Sequence, residues 1–170
     1  MGRVSVLMAL AISIAAMIVI FTIIPLCYPY GTFTHLDGSP SIMDHDWSDY
    51  GIVGAIYSIG DILCHQQQSR TFMLNGSEMP MCIRDVGLLV GAVIGFTCCF
   101  TRTSKLGDNR TLITGFILLV PTLAEWCCEH AFDLDLPILR FILAVISGFG
   151  AAMIVSHLIF REWRIDVRSV

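Results

Sequence analysis

From Val4 to Ile24 the chain is apolar at nearly every position, broken only by Ser5, Ser13 and Thr22 and by no charge. A helix rising about 1.5 Å per residue covers about 31 Å over such a run, one hydrocarbon thickness. Three more apolar blocks follow, at 86–100, 112–128 and 138–160; the first of these is short, about 22 Å as a helix, with room to extend outward through Cys82. The pattern predicts an all-α membrane protein whose four transmembrane helices lie at about 4–26, 86–100, 112–128 and 138–160. The first run is longer than a signal-peptide core and lacks a small-residue cleavage site, so it reads as a retained anchor.

Gly51 to Leu63 behaves differently. Ile52, Ile56, Ile59 and Leu63 recur at helical spacing, with Ser58 and Asp61 off that stripe. At about 20 Å the segment is too short to span, and it reads as a re-entrant or interfacial helix leading into Cys64. A five-span arrangement, which would carry the loop of Arg102, Lys105 and Arg110 to the outside, stays open as the alternative. The stretch from Tyr28 to Tyr50 is rich in Pro, Gly, Asp and aromatics, the composition of an ordered loop, and Trp47 and Tyr50 suit a membrane interface.

Charge orients the spans. Arg3, then Arg102, Lys105 and Arg110, then Arg161, Arg164 and Arg168 fall on one side, expected to be cytoplasmic together with both termini. Asp37, Asp44, Asp46, Asp49, Glu129, Asp133 and Asp135 fall in the opposite loops, 27–85 and 129–137. Over 170 residues, 55% hydrophobic and 14% charged content describe one integral membrane domain in the cell membrane, with the lipid bilayer as its first partner. A net charge of -4, with Lys105 as the only lysine, excludes nucleic acid.

Gly87, Gly91 and Gly95 recur every fourth residue and make a smooth ridge on the second span; Ser147, Gly148, Ala151 and Ala152 give the fourth a small face. Such faces pack helices closely, within the chain or against a membrane-protein partner.

The chemistry gathers at Cys64-His65-Gln66 and Cys82-Ile83-Arg84-Asp85, where apolar segments meet a polar loop. Groups of this kind are costly to desolvate at such a boundary. Cys64, His65, Cys82 and Asp85 suit zinc or another divalent ion, and an open coordination position would permit hydrolysis. The alternative is a Cys64–Cys82 disulfide across an outer loop. Arg70 and Arg84 are candidate clamps for an anionic or lipid-linked substrate. Glu125, inside the third span, is either a general base or the ion-pair partner of Arg140. Asp85 also suits the first turn of a helix. The doublets Cys98-Cys99 and Cys127-Cys128 read as small apolar helix residues. Asn75-Gly76-Ser77 and Asn109-Arg110-Thr111 match the glycosylation acceptor pattern.

Cys64-His65-Gln66, Arg70, and Cys82-Ile83-Arg84-Asp85-Val86-Gly87 together resemble the motifs of a family of small prokaryotic membrane proteins of unknown function. That family carries Cys-His-Gln, an Arg before Ser or Thr, and Cys-x-Arg-Cys. Pro121, Glu125, Glu129, Arg140 and Ser147-Gly148 look like its later elements. Asp85 stands where the family has cysteine, which keeps a metal ligand. Three readings follow: a metal-centred, hydrolytic site; a thiol–disulfide oxidoreductase using Cys64 and Cys82 with a membrane quinone; and a non-catalytic subunit of a membrane complex.

Overall fold

A computed structural model of the chain describes residues 2–37, 43, 45–64, 67–102, 106–132 and 136–168. In chain order the elements are α1 (Arg3–Cys27), α2 (Gly51–Leu63), the strands β1 (Thr71–Leu74) and β2 (Ser77–Cys82), then α3 (Ile83–Thr101), α4 (Asn109–Phe132) and α5 (Pro137–Arg168). Four of the helices are long and apolar enough to cross a bilayer: Val4–Cys27, Ile83–Thr101, Asn109–Phe132 and Pro137–Arg161. Helices suit these runs because hydrocarbon offers no hydrogen-bond partner, so each backbone group must be satisfied within its own segment. The apolar blocks marked the spans, but each helix runs past them until polar loops begin. α2 occupies the segment assigned to it and, at 13 residues, falls short of a crossing.

The chain divides into two compact units, residues 1–16 with 87–170, and residues 17–86. In the first, α3 and α5 approach backbone to backbone. A Cβ on Gly87 would lie 2.7 Å from the Ala144 methyl, and one on Gly95 would lie 2.6 Å from that of Ala152. A Cβ on Gly91 would run into the Val145 carbonyl, and one on Gly148 into that of Leu88. The glycine ridge is therefore taken up by α5. Gly115 and Gly150 do the same between α4 and α5. Leu7 and Ala11 of α1 pack into a core with Phe96, Cys99, Leu106, Ala152 and Phe160. Outward, α4 exposes Ile113, Phe116, Ile117, Val120 and Leu123, an apolar stripe suited to lipid.

The second unit is built around aromatic rings. Phe33 stacks on Tyr57 at 4.2 Å between centroids, Trp47 stacks on the same ring at 5.1 Å, and Leu36 closes the cluster. Trp47 lies so close to α2 that a Cβ on Gly54 would collide with its carbonyl. α2 inverts the usual pattern: Tyr57 and Asp61 are buried, whereas Ile52, Ile59, Ile62 and Leu63 are exposed. The segment between α2 and α3 also holds a hairpin, where an all-helical reading expected none. Asn75 and Gly76, both at positive φ (52° and 70°), make its two-residue turn. Thr71 pairs with Cys82, Met73 with Glu78 and Leu74 with Ser77, with an irregularity between Thr71 and Met73.

Gly91→Val should separate α3 from α5 at a cost of roughly 1–3 kcal/mol. Thermal unfolding in detergent should show the loss, while substitution of the exposed Ile94 by Leu should leave the midpoint unchanged.

Candidate functional site

The second unit brings Cys64, Cys82 and Asp85 together: their ligand atoms all lie within 4.8 Å of one another. Each arrives by a different route. α2 ends at Leu63, and Cys64 leaves it in extended conformation with its N–H donating to the Gly60 carbonyl at 2.8 Å. Cys82 is the last residue of β2 and stands immediately before α3, where an N-cap residue stands. Its Sγ accepts the Asp85 N–H at 3.4 Å, and its S–H donates to Asp85 Oδ2 at 3.0 Å. The first of these contacts caps α3, with a thiol in the place of the usual hydroxyl. The Cys82 thiol also shares a hydrogen bond with Cys64. Cys64 is buried and Cys82 half-buried.

Two thiols and a carboxylate raise a common electrostatic problem. The neighbouring Cys64, then burial, then the Asp85 charge push the Cys82 thiol well above its ordinary range. Cys82 is thus held as a thiol.

Glu78 holds this arrangement in place, and it was not singled out from the sequence. Its side chain is fully buried in β2. His35 adopts a left-handed φ of 60°, which turns successive N–H groups onto one carboxylate. The His35 N–H donates to Glu78 Oε1 at 2.8 Å and that of Leu36 to Oε2 at 3.4 Å. Tyr57 of α2 donates its hydroxyl to the Glu78 carbonyl at 2.7 Å. Asp61, also fully buried, accepts the Trp47 indole N–H at 3.0 Å and the His45 backbone N–H at 3.1 Å; His45 Nδ1 stands 3.3 Å from its other oxygen. The available signal was a charged residue inside each short apolar element.

The remaining sequence candidates are placed as follows. His65 lies outside the described residues. Arg70 ends a single 3₁₀ turn, Gln68–Arg70, just before β1, and Arg84 sits in the first turn of α3; both are half-buried. Glu125 belongs to the other unit. There Arg140 Nε stands 3.5 Å from Glu125 Oε1, and its Nη2 stands 2.9 Å from Glu129 Oε1, all three side chains being buried. The ion-pair alternative for Glu125 is thus present. About one helical turn before Glu125 in α4, the Thr122 hydroxyl accepts from Ser147 at 2.7 Å and donates to the Leu143 carbonyl at 2.8 Å.

The family described as "Predicted membrane protein (DUF2085)" matches residues 64–154. An uncharacterised protein of Methanothermobacter thermautotrophicus is 28% identical over 103 residues, 58% of this chain and 92% of that protein. One from Methanocaldococcus jannaschii is 24% identical over 113 residues, 62% of this chain and 69% of its own length. No solved structure matches.

Two outcomes follow from these contacts. Burial raises the Glu78 pKa, the N–H groups of His35 and Leu36 lower it, and Asp37 raises it again, for a net rise. The folded state then holds this proton more tightly than the unfolded one. Its contribution is complete below the ordinary carboxylate range and is lost as pH rises through the folded value. Trp47 emission during thermal unfolding should show the midpoint falling from mildly acidic to neutral pH, with a flatter slope in Glu78→Gln. In the other unit, Arg140→Ala removes the cation shared by Glu125 and Glu129 and should cost about 3 kcal/mol. Arg140→Met combined with Glu125→Gln and Glu129→Gln should recover much of that loss.

Proposed function

We propose that this chain, which belongs to the DUF2085 family of predicted membrane proteins, holds a divalent metal ion, best fitted by zinc, between Cys64, Cys82 and Asp85. The observation that carries this reading is the approach of the three ligand atoms to within 4.8 Å of one another. Thiolate sulfur and carboxylate oxygen are a normal zinc donor set, and three protein ligands leave a fourth position open. His65, adjacent to Cys64, is our candidate for that position if the site is structural. Water would take it if the site is catalytic.

The raised pKa of Cys82 favours this reading over nucleophilic thiol chemistry. Reactive thiols sit near positive charge, whereas Cys82 sits beside a carboxylate. The hydrolytic form of the proposal assigns Arg70 and Arg84 to an anionic or lipid-linked substrate. What supports it is the chemistry of those residue types. An outward-facing motif with both termini cytoplasmic is the orientation favoured by the cation bias.

The contact between Cys64 and Cys82 supports a second reading, a reversible disulfide. Its formation would release two protons and pass two electrons to a membrane quinone.

Elemental analysis of protein purified without added chelator separates the two. One zinc per chain is expected, and Cys82→Ser or Asp85→Asn should weaken binding beyond the about 10–100-fold that outer-shell changes cost. Because loading displaces protons from both thiols, affinity should rise with pH. Metal-free protein whose Cys64 and Cys82 resist alkylation until reduced would overturn the metal reading in favour of the disulfide.

A further inference from the structure

The first unit contains a groove that the metal reading does not use. Between the far end of α3, the start of α4 and the middle of α5 lies a hollow of about 590 Å³, whose wall includes Cys98, Arg102, Leu106 and Thr114. A second hollow of about 270 Å³, lined by Ile94, Val145 and Ile146, shares Leu118 and Phe149 with the first. The two hollows therefore adjoin at Leu118 and Phe149 and make a track of two compartments. Ile94, Cys98 and Arg102 follow one another at every fourth residue, so the track runs along α3 for about 12 Å.

Its polarity changes from end to end. The wall at Ile94, Val145 and Ile146 is wholly apolar. At the other end stand Arg102, which is exposed, and Thr101, Thr111 and Thr114. That wall is also held in place. Leu106 is buried, and its carbonyl, which can only accept, lies 2.9 Å from His157 Nδ1, so that nitrogen carries the proton and ties the loop to α5.

We propose that this track binds one membrane lipid with an anionic phosphate head, the head at Arg102 and a chain laid against Ile94, Val145 and Ile146. A soluble anion would have no use for the apolar half, and a lipid without net negative charge would gain less from the guanidinium. Both halves lie on helices long and apolar enough to cross a bilayer, so a lipid enters from the side without leaving hydrocarbon. A guanidinium at a span end is the group that meets a phosphate head at the membrane surface. The inference is independent of the metal site.

Delipidated full-length protein in detergent can be titrated by native mass spectrometry with dioleoyl phosphatidic acid, dioleoyl phosphatidylcholine and inorganic phosphate. We expect one phosphatidic acid bound about tenfold more tightly than phosphatidylcholine. Arg102→Gln should abolish that preference, and Arg102→Lys should retain most of it. Ile94→Trp should weaken both lipids by filling the chain end. Phosphatidic acid should also slow maleimide alkylation of Cys98, which lines the track, relative to the exposed Cys27 and Cys127. Gel filtration and circular dichroism check that each variant is folded. Equal binding of both lipids, unaffected by Arg102→Gln, would overturn the proposal, leaving a groove filled by bulk lipid. So would inorganic phosphate that competes as well as phosphatidic acid, which would make the site one for a free anion.

Discussion

The hydrogen bond from the Tyr57 hydroxyl to the Glu78 carbonyl, 2.7 Å long, ties α2 to β2. The candidate metal site depends on that tie. Cys64 is the residue after α2, and Cys82 is the last residue of β2. Fixing one element against the other fixes the distance between the two sulfurs. Neither element is long enough to hold itself, since an isolated 13-residue helix and a two-stranded hairpin are both marginal in water. The bond is strong here because it is dry: Tyr57 is fully buried between Phe33 and Trp47, and its own proton is held more tightly than usual by burial and by Glu78.

The same rule governs both units, though with different materials. Polar groups inside this apolar chain survive where several donors or opposite charges converge on them. In the second unit the convergence is on carboxylates, with backbone N–H groups meeting Glu78 and an indole and an imidazole meeting Asp61. In the first it is on Arg140, which faces two carboxylates. There the absence of Cβ atoms at Gly87, Gly91 and Gly95 lets α3 come near enough to α5 for backbone contact to replace the hydrophobic drive that lipid cannot supply.

Much of this was legible in the sequence, and the rest was hidden for identifiable reasons. The spans could be read because hydrocarbon thickness sets a length that an apolar run either meets or misses. The pairing of Glu125 with Arg140 was within reach because a carboxylate inside a span needs a partner. The meeting of Cys64 with Cys82 and Asp85 was suggested by their shared position at apolar–polar boundaries. The hairpin was missed because Asn75-Gly76 was weighed as a glycosylation acceptor, although the same dipeptide is a strong turn signal. Glu78 and Asp61 were missed for a deeper reason. A buried carboxylate is recognised by its donors, and those donors, the N–H groups of His35 and Leu36 and the Trp47 indole, carry no mark in the sequence.

Position 82 carries a sulfur that its place in the fold does not require. As the residue before a helix it is a natural place for Ser, Thr, Asp or Asn, whose oxygens cap the first turn far better than sulfur does. If capping α3 were its whole purpose, a thiol would be a poor choice, because S–H is a weak donor and sulfur a weak acceptor. The capping geometry with Asp85 therefore explains where the side chain points and not why it contains sulfur. What distinguishes sulfur from oxygen is its affinity for borderline metals and its ability to bond to a second sulfur. Cys82 has a second sulfur within reach in Cys64 and a hard oxygen in Asp85. A disulfide uses the first of these and leaves Asp85 only its place in the first turn of α3, whereas a metal ion would use all three.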